Sequence, residues 1–89
     1  MPKLSETKKE KISEHILSIL LDNFPKPMFT SYIAREIARD EEFTKDLLQI
    51  LHKKELVVPI TKNPTGLDYL RRTRWRLSNK AHSIYIHRQ

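Results

Sequence analysis

The chain has 89 residues, of which 38% are hydrophobic and 31% are charged, and it contains no cysteine. This composition predicts one small domain with a modest core over residues 8–89, behind a flexible tail at residues 1–7. The lack of cysteine excludes disulfides and thiolate metal sites and suits a reducing compartment, so we expect a cytoplasmic protein. No apolar run approaches the roughly 18 residues that a membrane-spanning helix needs, so we expect no membrane contact.

The positive charge lies at one end of the chain. Residues 1–70 contain eleven basic and eleven acidic residues, whereas residues 71–89 contain six basic residues and no acid. This segment therefore accounts for the whole net charge of +6. The resulting pI of about 9.8 indicates an acidic partner such as nucleic acid.

The first predicted element is a helix from Lys8 to Asp22, with apolar residues at helical spacing. Pro25 and Pro27 follow it and end the helical pattern. Leu17 and Leu21 make its apolar stripe wide. The width leaves open whether the helix also pairs with a second copy of the chain or with another protein.

Two further helices are predicted after the prolines. A short one starts near Thr30 or Ser31, either of which can cap it, and the next is capped by Asp40. Glu41 and Glu42 suit the positive N-terminal end of this third helix. Its predicted inward face consists of Phe43, Thr44, Leu47, Leu48 and Leu51.

Two strands complete the predicted order. Val57 to Thr61 is rich in β-forming residues, residues 62–66 form a turn that contains the only glycine, and Arg72 to Leu77 returns as the second strand. Because side chains alternate along a strand, Trp75 and Leu77 share the face opposite the arginines and are expected in the core. Ser78 can cap a short final helix that begins at Asn79, or residues 84–86 extend as a strand.

This order resembles that of a winged helix-turn-helix domain, as found in MarR and related regulators. Ile33-Ala34 resembles the Leu-Ala pair of the first helix of the motif, and Lys53-Lys54-Glu55-Leu56-Val57 resembles the Lys-Lys-Gly-Leu-Val that leads into the wing. Arg76-Leu77-Ser78-Asn79-Lys80-Ala81 is similar to the Arg-x-Leu-Thr-x-Lys-Gly that closes the wing. The resemblance implies an α+β fold with a three-helix core, a C-terminal β-hairpin wing and room for a short last helix.

Two residues depart from the pattern of these families. Glu55 stands where glycine usually ends the recognition helix, and Ala81 stands where glycine follows the wing. A residue other than glycine in the left-handed conformation costs on the order of 1 kcal/mol. We therefore expect the end of the third helix to be closed in a different way.

Candidate nucleic-acid contacts lie on the third helix and on the wing. Lys45 and Gln49 are one turn apart on the exposed face and can donate to base edges, although neighbouring acids make this face nearly neutral. Arg72, Arg74 and Arg76 form a row on one face of the second strand. This arginine row can follow a phosphate backbone, one of its members can enter a minor groove, or the row can protect an edge strand from aggregation. The candidate binding residues are Lys45, Gln49, Lys53, Lys62, Arg71, Arg72, Arg74 and Arg76.

These observations favour a transcriptional regulator or an accessory protein that binds double-stranded DNA through the third helix and the wing. The sequence has no glycine-rich phosphate loop, nucleophile elbow or HExxH motif, so we expect no enzyme and no cofactor. Its four histidines lack the spacing of a metal site. A protein-interaction module that uses the acidic helix face and an RNA-binding protein that uses the wing are the alternatives.

Overall fold

The computed structural model describes residues 6–61 and 73–88, with side chains described up to residue 86. The elements, in chain order, are α1 (Glu6–Asn23), β1 (Met28–Phe29), α2 (Thr30–Glu36), α3 (Glu41–Lys53), β2 (Val57–Ile60), β3 (Arg74–Leu77) and α4 (Asn79–Arg88). This is the predicted winged helix-turn-helix order of an α+β domain. The predicted turn at residues 62–66 lies outside the described residues, as do Lys62, Arg71 and Arg72.

The N-terminal boundary differs from the prediction. α1 begins at Glu6, two residues before the expected start, so Glu6 and Thr7 are helical and do not belong to a tail. An acidic residue in the first turn suits the positive end of a helix, which favours this earlier start.

The core forms where α1, α2 and α3 meet the inner face of the sheet. Ile16, Leu20, Ile33, Leu48 and Leu77 are all completely buried. Leu17 is only 6% exposed and Leu21 packs against the same cluster, so the core of a single copy uses the whole apolar stripe of α1. These two leucines therefore give no support to pairing with a second copy. None of the described helices is long and apolar enough to cross a membrane.

The sheet has three antiparallel strands in the order β1-β3-β2, which makes β3 the central strand. Trp75 of β3 lies opposite Met28 on one side, and Leu77 lies opposite Val57 on the other. The edge-strand interpretation of the arginine row is therefore wrong. The central position of β3 could not be predicted from the sequence, because β1 has only two residues and is too short to show an alternating pattern.

The start of α2 is fixed by β3 and has no side-chain cap, so the predicted capping by Thr30 or Ser31 is wrong. The residue before the helix is Phe29, which pairs with β3. The Thr30 hydroxyl accepts a hydrogen bond from Trp75 Nε1 at 2.8 Å and donates one to the Thr73 carbonyl at 3.3 Å. That hydroxyl consequently joins the helix to the strand.

Both helices of the helix-turn-helix end in the left-handed conformation without glycine. Ala38 follows α2 with φ 58°, and Glu55 follows α3 with φ 63°. At the end of α3, Leu56 N donates to Leu51 O at 3.0 Å and Glu55 N donates to His52 O at 2.9 Å, which is a Schellman motif. The same pair of bonds closes α2. The expectation that α3 closes differently is wrong, because Glu55 adopts the geometry that glycine would supply.

α4 settles the question that the sequence left open after Ser78, because residues 84–86 are helical. Ser78 Oγ accepts from Ala81 N at 3.0 Å, which confirms the predicted cap. The same hydroxyl donates to Glu55 O at 2.8 Å and so ties the start of α4 to the end of α3. Ala81 is helical and buried, so its position does not require glycine.

Candidate nucleic-acid interface

The direction of α3 is set by its first turn. The Asp40 carboxylate accepts a hydrogen bond from Phe43 N at 2.7 Å, which confirms the predicted N-cap. Thr44, fully buried, donates its hydroxyl to Asp40 O at 2.8 Å. Because Leu47, Leu48 and Leu51 are buried on the same side, the opposite side of α3 faces outward.

The three candidate residues of α3 are all exposed. Lys45, Gln49 and Lys53 follow one another at four-residue intervals, so they form one stripe that rises about 6 Å from each residue to the next. Exposed Asp46 lies beside this stripe. The structure thus brings two cations and one amide together on a single outward face, as the sequence predicted for this helix.

Sequence reasoning missed two exposed side chains on α3 or directly before it. Arg39 lies just before α3, with its guanidinium carbon 5.6 Å from the centroid of the Phe43 ring. Ile50 belongs to α3 itself and is 45% exposed. The sequence contained a signal for each of them. Arg39 directly precedes the Asp40 cap, and Ile50 does not fit the spacing of the leucines that face the core.

The arginines of β3 occupy the predicted face but do not project freely. Arg74 alternates with Trp75, which is only 4% exposed, so its side chain leaves the opposite face of the sheet. Its guanidinium carbon stands 4.3 Å from the centroid of the Phe29 ring. This contact is a cation–π interaction between neighbouring strands, and it leaves Arg74 half-buried.

Arg76 is held within the domain in a similar way. Its Nη1 donates to Leu77 O at 2.8 Å and to Asn79 Oδ1 at 3.4 Å. Its guanidinium carbon lies 6.0 Å from the centroid of the Phe24 ring, which in turn stacks on His82 at 3.7 Å. Two members of the predicted arginine row, Arg74 and Arg76, lie in the described part of the chain. Both already contact other groups of the protein.

A cavity of about 330 Å³ separates the first turns of α3 from the start of β3. Its walls include two exposed carboxylates, one exposed ammonium group and the buried indole that bonds Thr30. The lining residues are Phe29, Thr30, Ser31, Glu41, Glu42, Lys45, Thr73 and Trp75. Because the two carboxylates outnumber the single lysine, this cavity suits a cationic group better than a phosphate.

A second, more open cavity of about 540 Å³ lies at the other end of α3, where Lys80 Nζ is 3.2 Å from Glu55 Oε2. His52 also lines this cavity, and its Nδ1 is 3.1 Å from Val57 O. Across residues 6–61 and 73–86, no three histidine or carboxylate side chains are grouped as a metal site would require.

No protein-family model matches this sequence, and no curated protein matches it. Solved structures do resemble it. The S. aureus MepR–DNA complex aligns with a TM-score of 0.71 and 18% identity over 92% of this chain and 67% of that one. The zinc-responsive MarR family member ZitR of Lactococcus lactis gives a TM-score of 0.66 and 22% identity over 98% of this chain and 52% of that one.

A MepR mutant from a multidrug-resistant S. aureus clinical isolate gives a TM-score of 0.71 and 18% identity, over 86% of this chain and 53% of that one. The chain thus spans between half and two thirds of the length of these proteins. Identities this low show the fold alone. The chain has the winged helix-turn-helix fold of MarR-family regulators.

Proposed function

We propose that this chain binds double-stranded DNA by laying α3 against the major groove, as a transcriptional regulator or an accessory DNA-binding protein. The observation that carries the proposal is the exposed stripe of Lys45, Gln49 and Lys53 on the outward side of α3. The similarity to MepR supports it, because one of the MepR structures is a complex with DNA.

Each residue of the stripe has a distinct part in this proposal. Gln49 lies between the two lysines and can form two hydrogen bonds with the major-groove edge of adenine. Lys45 and Lys53 neutralise phosphates, which positions the helix without reading sequence. Arg39, exposed just before α3, adds a third phosphate contact. The Asp40 cap holds the start of α3, and the Schellman motif holds its end, so the stripe is presented on a fixed helix.

The wing contributes in two different ways. Lys62, Arg71 and Arg72 keep their predicted role as phosphate contacts of the wing. Arg74 and Arg76 are proposed mainly as supports of the sheet, since the guanidinium group of each already lies beside an aromatic ring. The C-terminal segment carries basic residues and no acid, which suggests that the wing dominates binding. We expect α3 to contribute a larger share of the binding energy than this charge distribution suggests.

The experiment is a salt titration of duplex DNA binding, followed by fluorescence anisotropy. The double variant Lys45→Ala/Lys53→Ala should lower the slope of log K against log salt by about 1.8, at roughly 0.9 for each phosphate that is no longer neutralised. Lys8→Ala/Lys11→Ala is the matched control, because it removes two exposed lysines from α1. An equal change in both variants would show that only net charge matters and would refute the proposed role of α3.

A second candidate function rests on the cavity beside Glu41 and Glu42. Its two carboxylates would receive a basic protein segment more readily than DNA. An anisotropy signal that is absent with duplex DNA at low salt would favour this protein-interaction function. A stronger signal with RNA than with duplex DNA would favour the RNA-binding alternative.

The assembly state and the cytoplasmic location remain predictions. α4 leaves Ile84 44% exposed and Ile86 52% exposed, so α4 offers more apolar surface to a homodimer or a protein partner than α1 does. Sedimentation of the protein with and without DNA measures the stoichiometry. A 2:1 complex of protein with duplex supports a dimer, and a 1:1 complex refutes it.

A further inference from the structure

Ile50 is the one exposed apolar side chain of α3. The helix contains five large apolar residues, of which three are buried, Phe43 is packed against the core, and Ile50 is 45% exposed. Its helical neighbours Asp46, Lys53 and Lys54 are polar and exposed. An isoleucine in this setting leaves apolar surface in water on the side of the helix that the proposed function directs at DNA.

The major groove offers few apolar groups. Its base edges present hydrogen-bond donors and acceptors, and the 5-methyl group of thymine is the exception. We propose that Ile50 contacts this methyl group and makes the domain prefer thymine at one position of its binding site. This inference rests on the proposed function and adds a determinant of sequence to it.

The residue on the adjacent helical turn supports a position over bases. Asp46 precedes Ile50 by four residues, so the two side chains are neighbours on the helix surface. A carboxylate is repelled by phosphates but accepts hydrogen bonds from the amino groups of cytosine and similar base edges. Asp46 and Ile50 together form a part of α3 that is unsuited to the backbone and suited to the floor of the groove.

The neighbouring residue along the chain indicates which bases to expect. Gln49 is the proposed adenine contact, and Ile50, the next residue, is exposed on the adjoining flank of the helix, about 100° further around its axis. A methyl contact beside an adenine contact predicts that the preferred site contains thymine within a base pair or so of that adenine. Thymine on either strand presents its methyl group in the major groove.

The test starts from duplexes selected out of a random pool by binding to the intact chain. Each thymine of the selected site is replaced in turn by deoxyuridine, which deletes only the 5-methyl group. One replacement should weaken binding about 4-fold, the expected effect of one buried methyl group. 5-Bromodeoxyuridine at that position should restore affinity, because bromine fills the same space.

Two protein variants assign the effect to the side chain. With Ile50→Ala, the same deoxyuridine replacement should change the Kd less than about 1.5-fold, because the shorter side chain no longer reaches the position from which isoleucine covers the methyl group. Ser18→Ala is the control, because Ser18 is exposed on α1, away from both the proposed DNA face and the apolar surface of α4. It should keep the full penalty of about 4-fold. Circular dichroism confirms that both variants fold.

The outcomes separate this inference from the proposed function. The inference is overturned if no thymine shows a penalty, or if the penalty is the same for Ile50→Ala as for the unmodified chain, while salt-dependent binding persists. If the pool yields no bound duplex, the proposed function fails and this inference fails with it. A penalty that only Ile50→Ala abolishes supports both.

Discussion

The variant Glu55→Gly should be more stable than Glu55→Ala, because both substitutions remove the same ion pair and only glycine relieves the backbone. Glu55 holds φ 63°, a conformation that costs a residue with a Cβ about 1–2 kcal/mol. Glycine avoids this cost. Its greater conformational freedom stabilises the unfolded chain, however, and this lowers the free energy of unfolding by about 0.4–1 kcal/mol. The Lys80–Glu55 pair is largely solvent-exposed, so its loss takes away only a few tenths, at most about 1 kcal/mol.

The comparison with Glu55→Ala separates these contributions. Both variants lose the ion pair with Lys80, but only Glu55→Gly relieves the backbone. Glu55→Gly should therefore exceed Glu55→Ala by about 1 kcal/mol of unfolding free energy, or about 4–8 °C in Tm for a domain of this size. Ala38→Gly tests the same principle at the end of α2, where no side-chain ion pair is involved.

Thermal unfolding followed by the far-ultraviolet circular dichroism of the helices measures all three variants. Equal Tm values for Glu55→Gly and Glu55→Ala would refute the strain at this position. They would mean that the Schellman hydrogen bonds do not require the left-handed conformation in solution.

Three further substitutions test the contacts that position the interface. Asp40→Ala should lower the free energy of unfolding by about 1 kcal/mol in a urea titration, whereas Asp40→Asn, which keeps a capping oxygen, should lose much less. Trp75→Phe removes the donor to Thr30 and should cost about 1–3 kcal/mol; a smaller loss than in Thr30→Ser, which keeps the hydroxyl, would contradict this. Ser78→Ala breaks the bonds to Ala81 N and Glu55 O and should lower Tm, while Ser78→Thr should retain most of the stability.

Much of the helical part of the fold was accessible to sequence reasoning because its signals are local. Asp40 precedes an amphipathic run, and a capping residue followed by regular apolar spacing is enough to define α3 from Glu41 to Lys53. The start of α2 failed the same reasoning. Thr30 has the chemistry of a cap, but Trp75 and Thr73, far along the chain, use its hydroxyl.

For the candidate site, the sequence predicts which face of an element each side chain occupies. It does not predict which other side chains that residue contacts. Side-chain alternation correctly placed Arg74 and Arg76 opposite Trp75 and Leu77. It could not show that Phe29 and Phe24 would receive the two guanidinium groups, since these rings reach the sheet only through the tertiary fold. Ile50 was overlooked for a related reason, because the exposure of an apolar residue depends on which neighbours cover it.

The bond between Trp75 and Thr30 also has a consequence for how the protein is made. These two residues are 45 positions apart, and β3 supplies the partner for both of the other strands. A growing chain exposes α1, α2 and α3 before β3 has been synthesised, and closing so long a segment is slow compared with forming helices. Until Leu77 has emerged from the ribosome, the nascent helix-turn-helix lacks the strand that fills its core. During translation, the domain should therefore fold in a single step, after β3 has been synthesised. Truncated products that end before β3 should be substrates for chaperones and proteases.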